Sequence, residues 1–315
     1  MIRKAIIISI SGPSLSTKEM TIFKKDKPWG VILFKRNILS ENQLIKLTKK
    51  IRKLMKDKKF PILIDEEGGR VSRLSNFLDN SIYNQKYFGN LYRLNKHIGT
   101  QFYKSYINSI SKILTKTGIN INTSPVLDLT KKNTHTIIRN RSYSSEPKIV
   151  QELGNLCVHT YKNNKIATVV KHIPGHGSTN LDSHFKLPIV KNALKSLKTS
   201  DFQCFKRVSS FFAMTAHILY SKIDKKNNTT HSKIIIKKII REEIGFKGIL
   251  ISDDISMKAL NYNLNKNAKL ALDAGCNLVL YCAGKPKEMG KLVKEIPFID
   301  KFTAKKTSEF YKFLS

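Results

Sequence analysis

Eight times along this chain a short run rich in Ile and Val is followed by a longer polar or amphipathic stretch. The runs fall at residues 4–9, 29–34, 60–64, 120–126, 167–172, 211–215, 248–252 and 277–282. Continuous apolar runs of this length suit strands buried on both faces, and parallel strands need crossovers long enough to hold a helix. Eight such units close into a barrel, so the expected fold is α/β: a single-domain (β/α)8 TIM-type barrel spanning 1–315, with some strands irregular. An open doubly wound sheet is the rival, and strand count alone does not separate the two.

The crossovers carry helical signals. Residues 40–56 start at Ser40 with Gln43 three positions on, the spacing of a capping box, and repeat Leu44, Ile45, Leu47, Ile51 and Leu54 on one side. Residues 90–117 end at Gly118, a helix stop. Helices are also expected at 149–163, 193–208, 232–244, 266–274 and 287–294, with a terminal helix over 299–315.

Three of the apolar runs stop at reactive residues. The run ending at Ile64 meets Asp65-Glu66-Glu67-Gly68-Gly69-Arg70; the one ending at Val170 meets Lys171-His172-Ile173-Pro174-Gly175-His176-Gly177 and then Asp182-Ser183-His184; the one ending at Ile251 meets Ser252-Asp253-Asp254. Reactive groups following several different strands favour a barrel, whose chemistry collects at the strands' carboxyl ends, over an open sheet with one switch point. A carboxylate at Asp253 can attack an electrophilic carbon. Asp182 and His184 can share a hydrogen bond that fixes the imidazole tautomer and makes it a proton carrier near neutrality. Together they suit a two-step displacement through a covalent ester, the chemistry of retaining glycosidases. Asp65, Arg73, Arg141, Lys171 and His172 supply the mixed acids and bases that a polyol needs. Gly68 and Gly69 permit a tight turn, and Gly175 and Gly177 are expected hinges for the segment carrying His184.

Blander readings stand beside these. An acid at a strand end commonly caps a following helix, and Asp254 is a candidate for that role. His172 and His176 are four apart, yet Pro174 and Gly175 forbid the helix on which such a pair binds zinc, so neither a metal nor a cofactor is expected. His97, His135, His159 and His231 belong to no constellation.

The 57 basic and 23 acidic residues give a formal charge of +34, but the basic residues are spread over every segment among abundant Asn and Ile. That distribution fits compositional bias better than a nucleic-acid arm, although polyanions would still adhere in a salt-dependent way. The apolar stretch 5–10 is too short for a secretory h-region, and no later run is long enough to span a membrane, so a cytoplasmic location and no membrane partner are expected. Four cysteines without CxxC spacing are expected as buried thiols. A monomer is expected.

Those stretches, with Ser124-Pro125-Val126-Leu127-Asp128, Arg141-Ser142-Tyr143 and Met214-Thr215-Ala216-His217, resemble glycoside hydrolase family 3, and within it the bacterial cytoplasmic β-N-acetylhexosaminidases. The resemblance runs from about residue 4 to residue 282, with the motifs in family order. It implies Asp253 as nucleophile, His184 as general acid and base, Asp182 as its orienting partner, and sugar contacts at Asp65, Arg73, Arg141, Lys171 and His172. The implied substrate is a peptidoglycan-derived muropeptide sugar: a terminal GlcNAc β-linked to anhydro-muramic acid, with or without peptide. Glu66 stands where Gln is common in the family, and Ile173 where Phe is common. Two alternatives remain open: a phosphorylase using phosphate as acceptor on the same site, and an inactive basic barrel that binds anionic glycans or nucleic acid.

Overall fold

The computed structural model describes residues 2–131, 136–179 and 186–315. Eight parallel strands close a barrel: β1 (Lys4–Ser9), β2 (Pro28–Leu33), β3 (Ile62–Ile64), β4 (Ile121–Asn122), β5 (Ala167–Ile173), β6 (Phe212–Thr215), β7 (Ile249–Asp254) and β8 (Leu278–Tyr281). Each strand pairs with its sequence neighbours, and β8 returns to β1 with Ile6 opposite Val279 and Ile8 opposite Tyr281. Closure removes both sheet edges and the strands are covered on both faces, which explains why most strand residues are apolar and nearly all are buried.

All eight expected strands are present, but β4 is shorter than its apolar run. Asn122 replaces the missing ladder with its side chain: its Oδ1 accepts the Glu66 N–H, and its Nδ2 donates to the Glu66 carbonyl. Pro125, which has no N–H to offer, interrupts the strand before Val126 rejoins β5 opposite Lys171.

The helices depart from their sequence signals in instructive ways. Thr17–Asp26 is a helix beyond those expected from the sequence, and Ser16 and Glu19 form a complete capping box at its start. Residues 90–117 are not one helix: Gln85–Leu94 and Lys96–Lys116 meet at Asn95, whose N–H closes the first while its side chain caps the second. The segment 193–208 holds only Leu194–Thr199 and a 3-10 turn, and Ile235–Glu243 is wound as a π-helix. Ser40 does cap Glu41–Met55, but the Gln43 side chain reaches Leu39 rather than Ser40.

The far end of the barrel is closed by the helix Lys301–Phe313. Phe310 meets the rings of Trp29 and Phe212, at 6.5 and 5.3 Å, and the buried Trp29 indole N–H donates to Thr307 Oγ1 at 2.9 Å. With this end sealed, only the carboxyl ends of the strands remain open for chemistry.

Candidate active site

Seven of the eight strands send residues from their carboxyl ends to one cavity of about 150 Å3. Its lining includes Phe34 after β2, Asp65 after β3, Thr123 after β4, Lys171 and His172 on β5, Met214 on β6, Asp253 and Asp254 on β7, and Cys282 after β8. Arg73 and Arg141 reach it from the loops. All five expected sugar contacts and Asp253 therefore share one cavity. Asp182 and His184 lie outside the described residues.

The bases and acids form a continuous chain. Arg73 Nη2 and Lys171 Nζ each lie 2.5 Å from a different oxygen of Asp65, which also accepts the Thr123 hydroxyl at 2.7 Å. Lys171 Nζ also meets Glu67 Oε1 at 2.6 Å, and Arg141 grips Glu67 through Nε and Nη2 at 2.7 and 2.8 Å. Burial alone would raise both carboxyls, but Lys171 and Arg73 hold Asp65 well below its usual range, and Arg141 with Lys171 lowers Glu67. Two carboxylates thus fix three cations around the cavity.

The loop that carries Arg73 is organised by Glu66. Its Oε2 accepts the N–H groups of Arg73 (2.6 Å) and Leu74 (3.0 Å) and the Ser72 hydroxyl, while Oε1 accepts from Asn80 Nδ2 and the Gly68 N–H. Burial pushes this carboxyl up in spite of its five donors. Gly68 is required at the turn: its φ is +81°, and an added Cβ would sit 2.2 Å from the Tyr83 carbonyl oxygen.

Asp128, fully buried, holds the end of β5. Its Oδ2 lies 2.7 Å from His172 Nδ1, and its Oδ1 accepts the N–H groups of His172 and His176. A carboxylate at Nδ1 assigns the proton to that nitrogen and leaves Nε2 as the ring's other polar end. The two rings stand 5.9 Å apart, edge to face. Burial depresses the His176 imidazole to about 4, so it is neutral at pH 7, and its Nδ1 pairs with Thr179 Oγ1. Among the described residues, no group of three or more His, Cys, Asp or Glu is arranged to hold a metal ion.

The two glycines expected as hinges are closely packed. Gly175 has φ +137°, with Asp201 Cβ 2.7 Å from where its own Cβ would be, and Gly177 lies against the Leu129 carbonyl oxygen at 2.3 Å on the same measure. Both are glycine because no side chain fits.

Asp253 is the last but one residue of β7, and its Oδ1 accepts the Asp254 N–H at 2.8 Å. Asp254 does not cap a helix, since the next one starts at Leu264 under Asn263. Its carboxylate accepts the Ser256 N–H and hydroxyl and the Cys282 N–H, so it ties the ends of β7 and β8 together. Burial raises its carboxyl. Of the four thiols, Cys157, Cys204 and Cys276 are buried, but Cys282 is only half-buried and lines the cavity.

Comparison with known proteins decides the family. Residues 6–301 match the model of the glycosyl hydrolase family 3 N terminal domain. The chain belongs to glycosyl hydrolase family 3. A beta-hexosaminidase of Alkalilimnicola ehrlichii is 31% identical over 312 residues, covering 94% of this chain and 85% of its own. The crystal structure of NagZ from Neisseria gonorrhoeae in complex with N-trifluoroacetyl-D-glucosamine superposes with a TM-score of 0.88 at 27% identity, covering 100% of this chain and 90% of that one. A family 3 β-N-acetylglucosaminidase from Paenibacillus gives 0.86 at 25% identity, covering 98% and 60%.

In this family 3 glycoside hydrolase the cavity is also shaped by acids whose partners the motifs do not reveal. Glu67, Asp128 and Asp254 were visible as acids within the motifs, but their roles depend on partners 74, 44 and 28 positions away. Nothing local distinguishes them from acids that simply face water.

Proposed function

We propose that the chain is a retaining exo-β-N-acetylhexosaminidase that removes terminal, non-reducing β-linked GlcNAc from peptidoglycan fragments. The observation that carries this reading is the convergence of Asp253 with Asp65, Arg73, Arg141, Lys171 and His172 on one cavity at the carboxyl ends of the strands. Sugar hydroxyls both donate and accept, and these residues offer fixed carboxylates, ammonium and guanidinium groups. Ile32, Met214, Met257 and Leu280 give the ring face and the acyl methyl an apolar surface. The N-acylated glucosamine named with the gonococcal structure and the names of the curated relatives support the same substrate class.

In this reading the Asp253 carboxylate attacks the anomeric carbon as the glycosidic C–O bond breaks, and protonated His184, oriented by Asp182, gives its proton to the departing oxygen. Neutral His184 then takes a proton from water, whose oxygen attacks the anomeric carbon and releases Asp253. The aglycone is anhydro-muramic acid with or without its peptide, the whole chain acts as one catalytic unit, and the setting is the cytoplasm. Among the described residues no helix is long and apolar enough to cross a membrane.

A fluorinated GlcNAc fluoride that traps the ester tests this directly. Mass spectrometry is expected to find the sugar on Asp253, and Asp253→Ala is expected to abolish hydrolysis of a chromogenic β-GlcNAc glycoside. Unchanged turnover in that variant would remove Asp253 from the chemistry.

A further inference from the structure

A second set of polar side chains lies behind the end of β7. His217, Thr215 and Thr230 are all fully buried. His217 Nε2 is 3.0 Å from the Asp254 carbonyl oxygen, and its Nδ1 is 2.7 Å from Thr230 Oγ1. Thr230 Oγ1 is 2.8 Å from Thr215 Oγ1, which accepts the Asp253 N–H at a long 3.4 Å.

With the His217 ring neutral, the direction of every hydrogen bond in this set follows from one atom. A carbonyl oxygen only accepts, so Nε2 carries the ring proton. In the neutral ring Nδ1 then accepts from the Thr230 hydroxyl, the Thr230 oxygen accepts from Thr215, and the Thr215 oxygen accepts from the Asp253 amide. Each donor is used once. The chain starts at the N–H of Asp253 and returns to the C=O of Asp254, so the two-residue segment is gripped at both ends. From the other side, the Asp254 carboxylate is held by Ser256 and the Cys282 N–H, and the Asp254 N–H aims the Asp253 carboxylate.

We infer that His217, acting through Thr230 and Thr215, is a positioning residue that fixes the backbone of Asp253 and with it the line along which the Asp253 carboxylate reaches the anomeric carbon. The inference rests on Asp253 being the nucleophile. His217 touches no substrate; its effect is on where the attacking oxygen stands, and misplacement on the order of 1 Å can cost about a hundredfold in rate.

The test uses the full chain and a 2,4-dinitrophenyl β-GlcNAc glycoside, whose leaving group needs no proton, so the burst of phenol reports attack by Asp253. Thr230→Val keeps the shape and removes the hydroxyl; His217→Ala removes the ring. Both are expected to slow the burst roughly 10- to 100-fold while the substrate concentration that half-saturates it moves by less than about threefold. Thr230→Ser, which restores the hydroxyl, is expected to recover most of the rate. Wild-type bursts in both variants, or a change in half-saturation alone, would overturn the inference, and if His217→Ala fails to fold, Thr230→Val decides. Failure of the underlying reading looks different: Asp253→Ala would then keep its burst. If Asp253→Ala is inactive while Thr230→Val is normal, only the role of His217 is lost.

Discussion

Glu66 shows how much one buried side chain can organise. Its carboxylate gathers five donors from Gly68, Ser72, Arg73, Leu74 and Asn80, and so sets the loop on which Arg73 reaches Asp65. Glu66→Ala leaves buried N–H groups without an acceptor, each costing about 1–3 kcal/mol. Its KM is therefore expected to rise at least about tenfold, with a smaller change in kcat. Glu66→Gln keeps an oxygen for the three donors on Oε2, and Asn80 can turn its unpartnered Oδ1 toward the new amide. The Gln variant is thus expected to lose less, and equal KM values for the two would show that the carboxylate does not hold the loop. Glu67 is the stricter case, because Lys171 and Arg141 both depend on it. Breaking a buried pair on one side costs about 3–5 kcal/mol, so Glu67→Ala is expected to lower denaturant stability by that order and to weaken sugar binding together.

Among the elements, the two ends of the barrel divide the work. The carboxyl ends hold the polar network; the opposite end is aromatic packing beneath the helix Lys301–Phe313. Phe310→Ala is expected to remove about 3–5 kcal/mol of stability by opening a cavity against Trp29 and Phe212, while kcat/KM at 25 °C stays near its original value. A comparable fall in kcat/KM in protein that is still folded would mean that the two ends are coupled. The junction at Asn95 belongs to the same scale: one residue ends a helix and caps the next, so the periodic apolar pattern runs through a break it does not register.

For the molecule as a whole, charge sets the conditions of stability. The folded carboxyls of Asp65, Glu67 and Asp128 titrate below their ordinary values of 3.8, 4.5 and 3.8. Their contribution is therefore complete above those values and is lost as pH falls through the lower folded ones. Glu66 and Asp254, with raised carboxyls, have the opposite sign: stability is gained as pH falls through their folded values. Denaturation midpoints are expected to fall steeply only below about pH 4, and a steep loss between pH 7 and 5 would contradict the depressed carboxyls. With a formal charge of +34, self-repulsion should dominate surface electrostatics, so added salt is expected to raise Tm. A Tm that falls with salt would show that surface ion pairs outweigh that repulsion.

The amino-acid sequence determined the eight strands: uninterrupted Ile- and Val-rich runs have one stable home, a sheet covered on both faces, and parallel pairing brings their carboxyl ends together. It placed Asp65, Lys171, His172 and Asp253 at those ends because each directly follows or terminates an apolar run. The tertiary structure alone decided that Glu67 binds Lys171 and Arg141, that Asp128 holds His172, that Asp254 ties β7 to β8, and that Gly175 and Gly177 lie against neighbours that leave no room for a side chain. The physical reason is the range of the interactions. Burial of an apolar run is written in neighbouring residues, whereas a hydrogen bond or an ion pair belongs to two side chains, and its second partner is named only when the barrel closes.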